Sequence, residues 1–303
     1  MDWDLARYFL AVARSGSALT AARELKQSQP TVARRIAALE AAIGLRLFER
    51  RQAGYQLTEE GRALLPLAEQ MGVAARAFSD GAGATSRRLA GTVRLTCNEI
   101  LAEHYLAPML IEFRTNYPDI RVDVLATSEL VDLSRGEADV ALRAVGPRSD
   151  VGSGAGLVGR KVASVPWVVF ASTDYVTARG RPSSLDELAG HSLIGGEESL
   201  DPADPRRWLE LAAPGATVAA RTNTLPSHIT SIRAGLGLGV APAGFLERDP
   251  RLSACFTLPP ELDGQLWLVT HEQVRNLPRV RALMDFLAAY IGARRSLLQS
   301  RNV

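Results

Sequence analysis

Ser28-Gln29-Pro30-Thr31-Val32-Ala33-Arg34-Arg35-Ile36 opens the segment on which the fold of the first sixty residues turns. A serine accepts hydrogen bonds from the free N–H groups of a helix start, and a proline in the first turn gives up an N–H that has no helical partner anyway. The segment predicts a helix from Ser28, with Val32, Ile36 and Leu39 as its buried stripe and Gly44 as its stop. The other face carries Gln29, Thr31, Arg34 and Arg35. An amide and a guanidinium at a helix N-terminus can each make paired hydrogen bonds to a base edge in the DNA major groove.

Toward the N-terminus, the break at Lys26-Gln27 separates this helix from an earlier one. Ser17 is its cap, and Leu19, Ala22 and Leu25 are its expected apolar face. Gly16 closes a first helix over roughly residues 4–14, with Leu5, Phe9, Val12 and Ala13 at helical spacing. The small residues Ala18, Ala21 and Ala22 suit close helix crossings, so the three helices form a helix-turn-helix candidate. Toward the C-terminus, Leu45-Arg46-Leu47-Phe48-Glu49-Arg50-Arg51 and the run through Leu57 predict two short strands around a turn at Gly54. That hairpin is a wing with Arg50 and Arg51 near its base. A plain three-helix bundle with a solvated arginine face competes with this reading, and the wing argues against it.

Charge is distributed accordingly. The chain has 303 residues and a net charge of +2. Residues 1–58 hold nine Lys or Arg against five Asp or Glu, a net of about +4, and residues 89–303 hold twenty-two against twenty-four, a net of about −2. A basic head on a mildly acidic body suits a head that meets a polyanion. Cys97 and Cys255 are far apart without metal-ligand spacing, which fits a reducing cytosol. The acidic start, without a basic and then apolar leader, predicts no signal peptide. No run of about 18 apolar residues predicts a membrane span. The expected location is cytoplasmic, and no cofactor or metal is expected.

Leu57, Gly61, Leu64, Ala68, Met71, Ala75 and Phe78 alternate spacings of four and three, a heptad seam. On an isolated connector, such a seam predicts pairing with a second copy of the chain, and packing on the body of the same chain is the alternative reading. Pro66 interrupts the pattern as a source of a kink. The stretch from Gly81 to Ser86 is expected to be a flexible linker.

The residues from Phe9 to Gly61 resemble the N-terminal domain of the LysR-type transcriptional regulators. The likeness rests on Phe9-Leu-Ala-Val-Ala-Arg-Ser-Gly-Ser, Ala21-Ala-Arg-Glu-Leu, Ser28-Gln-Pro-Thr-Val, Ile36-Ala-Ala-Leu-Glu, Gly44-Leu-Arg-Leu-Phe-Glu-Arg and Leu57-Thr-Glu-Glu-Gly. The resemblance implies major-groove contacts from Gln29, Pro30, Thr31 and Arg34, beside Ser28 and Arg35. It implies minor-groove or phosphate contacts from Arg50 and Arg51. Ala33 departs from the family, which commonly has serine there, so a hydroxyl contact is missing.

Beyond residue 90, strand and helix signals alternate. Thr92–Leu95, Ile120–Leu125, Ala138–Leu142, Trp167–Ala171, Leu236–Ala241 and Leu266–Thr270 are strand-like. Leu101–Tyr117, Leu130–Arg135, Ser231–Ala234 and Val280–Ile291 are helical. This predicts an α/β fold with largely parallel sheets. Gly91-Thr-Val-Arg-Leu, Leu106-Ala-Pro, Phe113-Arg-Thr-Asn-Tyr-Pro-Asp-Ile, Gly136-Glu-Ala-Asp-Val-Ala-Leu-Arg and Ala234-Gly-Leu-Gly-Leu-Gly-Val-Ala-Pro resemble the effector domain of the same family. The full organisation expected is a winged helix-turn-helix over 1–58, a dimerising linker helix and flexible linker over 59–90, and an effector-binding domain over 91–303. By that likeness the last has two Rossmann-like subdomains, one of 91–165 plus 267–295 and one of 166–266, with a small-molecule effector in the cleft between them.

Polar residues after strands, at open helix starts, are the effector-binding candidates: Cys97 and Asn98, Thr127 and Ser128, Gly196 and Glu197, and Asn223 and Thr224. Such residues also cap helices in any protein. No cluster of arginines demands a carboxylate, and Arg143 and Arg148 are the ones that could meet it.

No motif asks for catalysis. His271-Glu-Gln-Val-Arg275 lacks the second histidine of a zincin helix, and His104, His191 and His228 are scattered. Gly235-Leu-Gly-Leu-Gly has Val240 where a dinucleotide fingerprint needs glycine. The expectation is a regulator that binds an inverted-repeat operator in double-stranded DNA as a homodimer or homotetramer and acts on RNA polymerase. The rivals are a DNA-binding protein that uses no ligand and a cytosolic enzyme with a DNA-binding head.

Overall fold

The computed structural model describes residues 4–51, 54–84, 89–147, 151, 156–244 and 249–294. They fall into two compact units, residues 1–88 with 132–137 and residues 89–131 with 138–303.

In the first unit, α1 (Leu5–Ser15) ends at Gly16, whose φ of 61° is the left-handed conformation that glycine adopts without a Cβ clash. Ser17 caps α2 (Ala18–Glu24) by accepting from Thr20 N, and Ser28 caps α3 (Gln29–Ile43) by accepting from Thr31 N. The turn between them passes through Lys26 at φ 53°. Ala18, Ala21 and Ala22 are the buried face of α2, whereas Leu19 is 48% exposed. The expected Leu19 contact is therefore absent, because the bundle interior accepts alanines at the crossing and a leucine one position on points to solvent.

The wing is β1 (Phe48–Arg51) paired antiparallel with β2 (Gly54–Leu57). It is fastened to the bundle by Tyr55 N donating to Gly16 O at 2.8 Å and by Phe48, whose ring lies 5.4 Å from Phe9 and 5.6 Å from Tyr55. Gln52 and Ala53, at the tip of the expected wing, lie outside the described residues.

The connector is α4 (Glu59–Ala84), and it corrects the sequence reading twice. It runs through Pro66 and on through Gly81 and Gly83, so residues 81–84 extend the helix rather than forming a linker. Two glycines cost about 1 kcal/mol each relative to alanine, too little to stop a helix already propagating. Ser86 and its neighbours 85–88 lie outside the described residues. The second correction concerns the seam. A Cβ on Gly61 would lie 2.2 Å from the carbonyl oxygen of Leu47, Ala68 is buried in the core of the same unit, and Leu57 and Leu64 pack against that core. The first half of the seam is thus spent within its own domain. Its remainder, Met71 and Ala75, is half-buried, and the helix's exposed side bears Ala63, Leu67 and Ala74. The side chain of Phe78 lies outside the described residues.

The second unit opens with β3 (Gly91–Cys97), α5 (Glu99–Leu101), a π-helical turn over Ala102–Leu106, and α6 (Ala107–Asn116). Pro108 has no N–H for the usual bond to the fourth residue back, and a widened turn sits just ahead of it. Then come β4 (Ile120–Ala126), β5 (Val140–Val145), β6 (Leu157–Val165), β7 (Trp167–Ser172), α7 (Thr173–Arg179), β8 (Ser192–Gly196), α8 (Pro205–Ala212) and β9 (Thr217–Thr222). The chain closes with α9 (Leu225–Arg233), β10 (Gly239–Pro242), β11 (Leu252–Thr257), β12 (Gly264–His271) and α10 (Pro278–Ala293). No helix among the described residues is long and apolar enough to cross a membrane.

The first sheet has the order β4-β3-β5-β12-β6, and the second unites β10-β7-β11 with the pair β8-β9 through a bridge between Leu193 and Leu238. The sheets are mixed rather than largely parallel. β3 is parallel to β4 and β5, and β8 to β9, but β12 is antiparallel to both its neighbours and so is β7. The reason is that β6 leaves the first sheet and β12 returns to it, side by side in opposite directions. One core lies under the first sheet with α6 and α10, built from Leu95, Phe113, Leu142 and Leu283 among others. Two more cover the faces of the second sheet. Residues 130–135 form no helix. The Asp132 carboxylate accepts from Ser134 N and Oγ at 2.9 and 2.6 Å, a local turn that competes with helical bonding.

His228 in α9 is fully buried. Its Nε2 accepts from Val240 N at 3.1 Å, which leaves the proton on Nδ1 to be donated to Thr222 Oγ1 at 3.0 Å. Burial, with the Arg206 charge adding to it, pushes its pKa down to about 3.

Two expectations follow from this packing. Gly61→Ala drives a methyl into the Leu47 carbonyl and should cost about 1–3 kcal/mol, read as a lower urea midpoint of the helix-turn-helix unit at an unchanged slope. His228 must stay neutral in the folded state while its unfolded form takes a proton below about pH 6.5, so the stabilisation is complete above that pH and is lost as pH falls toward 3. Urea midpoints from pH 7 to pH 4 should drop faster in the wild type than in His228→Gln, by up to about 1.4 kcal/mol per pH unit. Equal slopes would count against the buried neutral imidazole.

Candidate nucleic-acid interface and ligand cleft

The candidate recognition surface lies on α3. Its inner face is locked by Val32, Ile36 and Leu39, all buried. Its N-terminus is held by two contacts from Ser28, whose Oγ lies 3.3 Å from Thr31 N and 2.8 Å from Thr31 Oγ1. Gln29, Pro30 and Arg34 are exposed on the other side, and Thr31 is half-exposed. Arg35 is half-buried, its guanidinium 5.9 Å from the ring centre of the buried Tyr8, so part of its charge is directed by an intramolecular contact. Ala33 is half-buried and brings no hydroxyl. Arg50 and Arg51 occupy β1 opposite Tyr55 and Gly54, at the end of the strand nearest the wing turn and not near the base as expected, because the strand begins only at Phe48.

Two residues that sequence reasoning did not single out hold this surface in register. Glu40, one turn before the end of α3, accepts from Leu47 N at 2.7 Å and Phe48 N at 3.1 Å and so ties the recognition helix to the wing. Thr58 accepts from Gly61 N and donates to Arg46 O, capping α4 on the same loop. The signal for Thr58 was present as a threonine immediately before an acidic helix start. That for Glu40 was not, since its partners lie seven and eight residues away.

The effector candidates divide. Asn98 caps α5, its Oδ1 accepting from Leu101 N at 2.8 Å, and it lines a cavity of about 470 Å3. Cys97 is buried in the core behind it, and burial, with the Glu99 carboxylate adding to it, pushes the thiol pKa up to about 11. Such a thiol is protonated and inert, and its side chain does not line the cavity. Ser128 is engaged by Glu99, through N–H at 3.0 Å and Oγ at 2.7 Å, and these bonds hold the Glu99 carboxyl below its ordinary pKa. Thr127 N donates to Cys97 O, and Thr127 Oγ1 accepts from Glu129 N. Gly196 is buried at a close approach, where a Cβ would lie 2.8 Å from Leu200 Cδ1. Glu197 and Asn223 share a separate open depression with Arg221 and Ser227. Thr224 caps α9 by accepting from Ser227 N. Of the candidate set, only Asn98 reaches the 470 Å3 cavity.

That cavity lies where the two sheets meet. Asn98, Ile100 and Leu101 come from one side, Trp167, Pro205 and Leu225 from the other, and its floor is the crossover strands at Val165 and Gly264. Its volume is in the range of small-molecule sites. Sequence reasoning missed Trp167, although a tryptophan directly after Val165-Pro166, at the passage between sheets, was a usable signal. Arg143, considered as a carboxylate partner, donates to Val131 O at 2.8 Å instead. Arg148 lies outside the described residues.

Comparison with known proteins gives one answer along the whole chain. Residues 3–62 match the family model described as bacterial regulatory helix-turn-helix protein, lysR family, and residues 86–291 match the LysR substrate binding domain. The chain is 32% identical over 302 residues to the HTH-type transcriptional regulator CrgA of Neisseria meningitidis serogroup C, covering 94% of this chain and 95% of CrgA. It is 34% identical over 186 residues to an HTH-type transcriptional regulator of Xanthomonas campestris pv. campestris, an alignment that spans 61% of this chain and about half, 53%, of that relative. Among solved structures, a full-length OxyR variant from Pseudomonas aeruginosa superposes with a TM-score of 0.72 at 19% identity, over 99% of this chain and 97% of that one, a likeness of fold.

Proposed function

The chain belongs to the LysR family of bacterial transcriptional regulators, and from that premise we propose that it acts as a homodimer on an inverted-repeat operator, controlled by a small molecule held in the cleft. The observation that carries the reading is the capped, one-sided α3, whose buried stripe fixes its orientation and leaves Gln29, Pro30 and Arg34 facing outward. Gln29, Pro30, Thr31 and Arg34 read bases in the major groove, with Arg34 the specific contact through its planar fork. Ser28 and Arg35 flank them, and Arg50 and Arg51 approach phosphates or the minor groove from the wing. Ala33 contributes no hydroxyl, so its position reads shape or a methyl group at most.

Two copies of α3 related by a two-fold axis would read half-sites near one helical turn apart or a multiple of it. The exposed side of α4, with Ala63, Leu67 and Ala74, is the surface for pairing, and a dimer of dimers extends the same symmetry. The effector binds in the 470 Å3 cavity, and Asn98 is its polar contact. To control transcription it must bind one arrangement of subunits more tightly than another, since equal affinity shifts nothing. The change in arrangement alters DNA bending and with it the contact to RNA polymerase. The protein works in the cytoplasm and has no catalytic step.

Footprinting on the DNA upstream of its own gene, at fixed salt, tests the reading. A protected inverted repeat is the expected result, and Arg34→Ala should weaken it by about 1–3 kcal/mol while sparing random DNA. An equal loss on random DNA would reduce Arg34 to a phosphate contact, and no protected site would remove the operator. For the dimer, sedimentation of Leu67→Glu should show monomers with a folded helix-turn-helix unit, because Leu67 is 55% exposed. Leu64→Glu should instead destabilise that unit, since Leu64 packs on its core. A Leu67→Glu dimer as stable as wild type would place the interface elsewhere.

A further inference from the structure

The lining of the 470 Å3 cavity constrains the chemistry of what it holds. Anions are commonly caught by the free N–H groups of helix starts. Here each of those starts has one N–H taken by its own cap. Asn98 Oδ1 takes Leu101 N, Asp204 Oδ1 takes Arg206 N at 3.0 Å, and Thr224 takes Ser227 N. Pro147, Pro205 and Pro242 line the cavity and have no N–H to offer.

The ionisable side chains in the described lining are two, Asp201 and Asp204, and both are acidic. Asp204 is neutralised by Arg206, with Nε and Nη2 each at 2.9 Å. Asp201 accepts only from Ala203 N at 2.8 Å through Oδ1 among the described residues, and it lies exposed where the lining meets solvent. Gln265 is partly engaged, its amide donating to Pro147 O and accepting from Trp267 Nε1. The one uncommitted charge in the described lining is the Asp201 carboxylate, and Asn98 offers its side-chain N–H groups. Most of the remaining lining is apolar, with Ile100, Leu101, Val145, Val165, Trp167 and Leu225 as the principal surfaces.

We propose that the cleft takes a largely apolar organic amine, protonated at neutral pH, with its hydrocarbon body against Trp167 and Leu225 and its ammonium group at Asp201, and that it rejects carboxylates. This rests on the reading of the cavity as the effector site. A carboxylate brought there would lose its hydration without meeting a cationic side chain in the described lining and would face the Asp201 charge. An ammonium gains that charge, and an aromatic or aliphatic body fills a volume suited to it.

Isothermal titration of the full chain with tryptamine, tryptophol and indole-3-propionate, which share one ring system and differ in the end group, separates the possibilities. Tryptamine should bind saturably, tryptophol more weakly by about 10-fold or more, and indole-3-propionate not measurably. Asp201→Asn, which keeps the acceptor for Ala203 N, should bring tryptamine down to the level of tryptophol. Leu225→Trp, which fills the cavity, should abolish both. The proposal is overturned if indole-3-propionate binds as well as tryptamine, if tryptamine shows no saturable binding, or if Asp201→Asn leaves its advantage intact. The same samples footprinted with and without tryptamine keep the two readings apart. Binding with an unaltered footprint counts against regulation through the cleft and supports the ligand class, and an intact operator footprint without tryptamine binding does the reverse.

Discussion

The effector unit depends on two strands that leave one sheet for the other side by side. β6 and β12 are antiparallel partners, and their register puts Val165 opposite Gly264 at the place where both depart. One residue later Pro166 O accepts from Ala243 N, and Trp167 O accepts from Leu258 N, so the crossing chain is caught at once by the second sheet. Hydrogen bonds on both sides of a two-strand passage leave few backbone torsions free there. The passage forms the floor of the cavity. Cavity residues from both halves are placed by it, and a ligand that touches both halves must do its work against it.

The DNA-binding unit is organised differently, each loop being tied down by a few backbone or side-chain hydrogen bonds. Gly16 O holds the wing through Tyr55 N, Glu40 holds its base, and Thr58 joins Arg46 to the start of α4. A Cβ on Gly54 would lie 2.4 Å from Gly16 O, so these two glycines meet backbone to backbone. The result is that α3 and the wing, the two parts that carry the arginines, are braced against one another. A surface that reads bases needs its side chains held to within a fraction of an ångström, and bracing of this kind supplies it.

In the effector unit the same capping chemistry has the opposite consequence for function. Asn98, Asp204 and Thr224 each take one N–H of a helix start, which leaves fewer donors there for an anion. The sequence reading took polar residues after strands to be ligand contacts, and most of them are occupied with their own backbone. Ser128 is held by Glu99, Thr224 by Ser227, and Cys97 is buried core. Ser, Thr, Asn and Asp serve both purposes with the same atoms, and which purpose they serve depends on what lies opposite them in space. Asn98 keeps a spare N–H because its amide has two ends.

The sequence by itself determined the local elements of the head. Ser17, Ser28, Gly16 and Gly44 set the helix limits through rules that reach three or four residues, and Val32, Ile36 and Leu39 identified the buried face of α3 by period alone. It also determined the family, because a motif sixty residues long is carried by the order of residues. Tertiary structure alone decided the rest. It turned Gly61, Leu64 and Ala68 inward onto the head when their heptad spacing fitted a partner helix equally well, since periodicity says that a stripe is buried and not against what. It made the sheets mixed, because strand direction depends on where a strand comes from across the fold. And it assembled the cavity from Asn98, Trp167, Asp201 and Gln265, residues up to 167 positions apart in number, which meet only because two crossover strands bring them to one place.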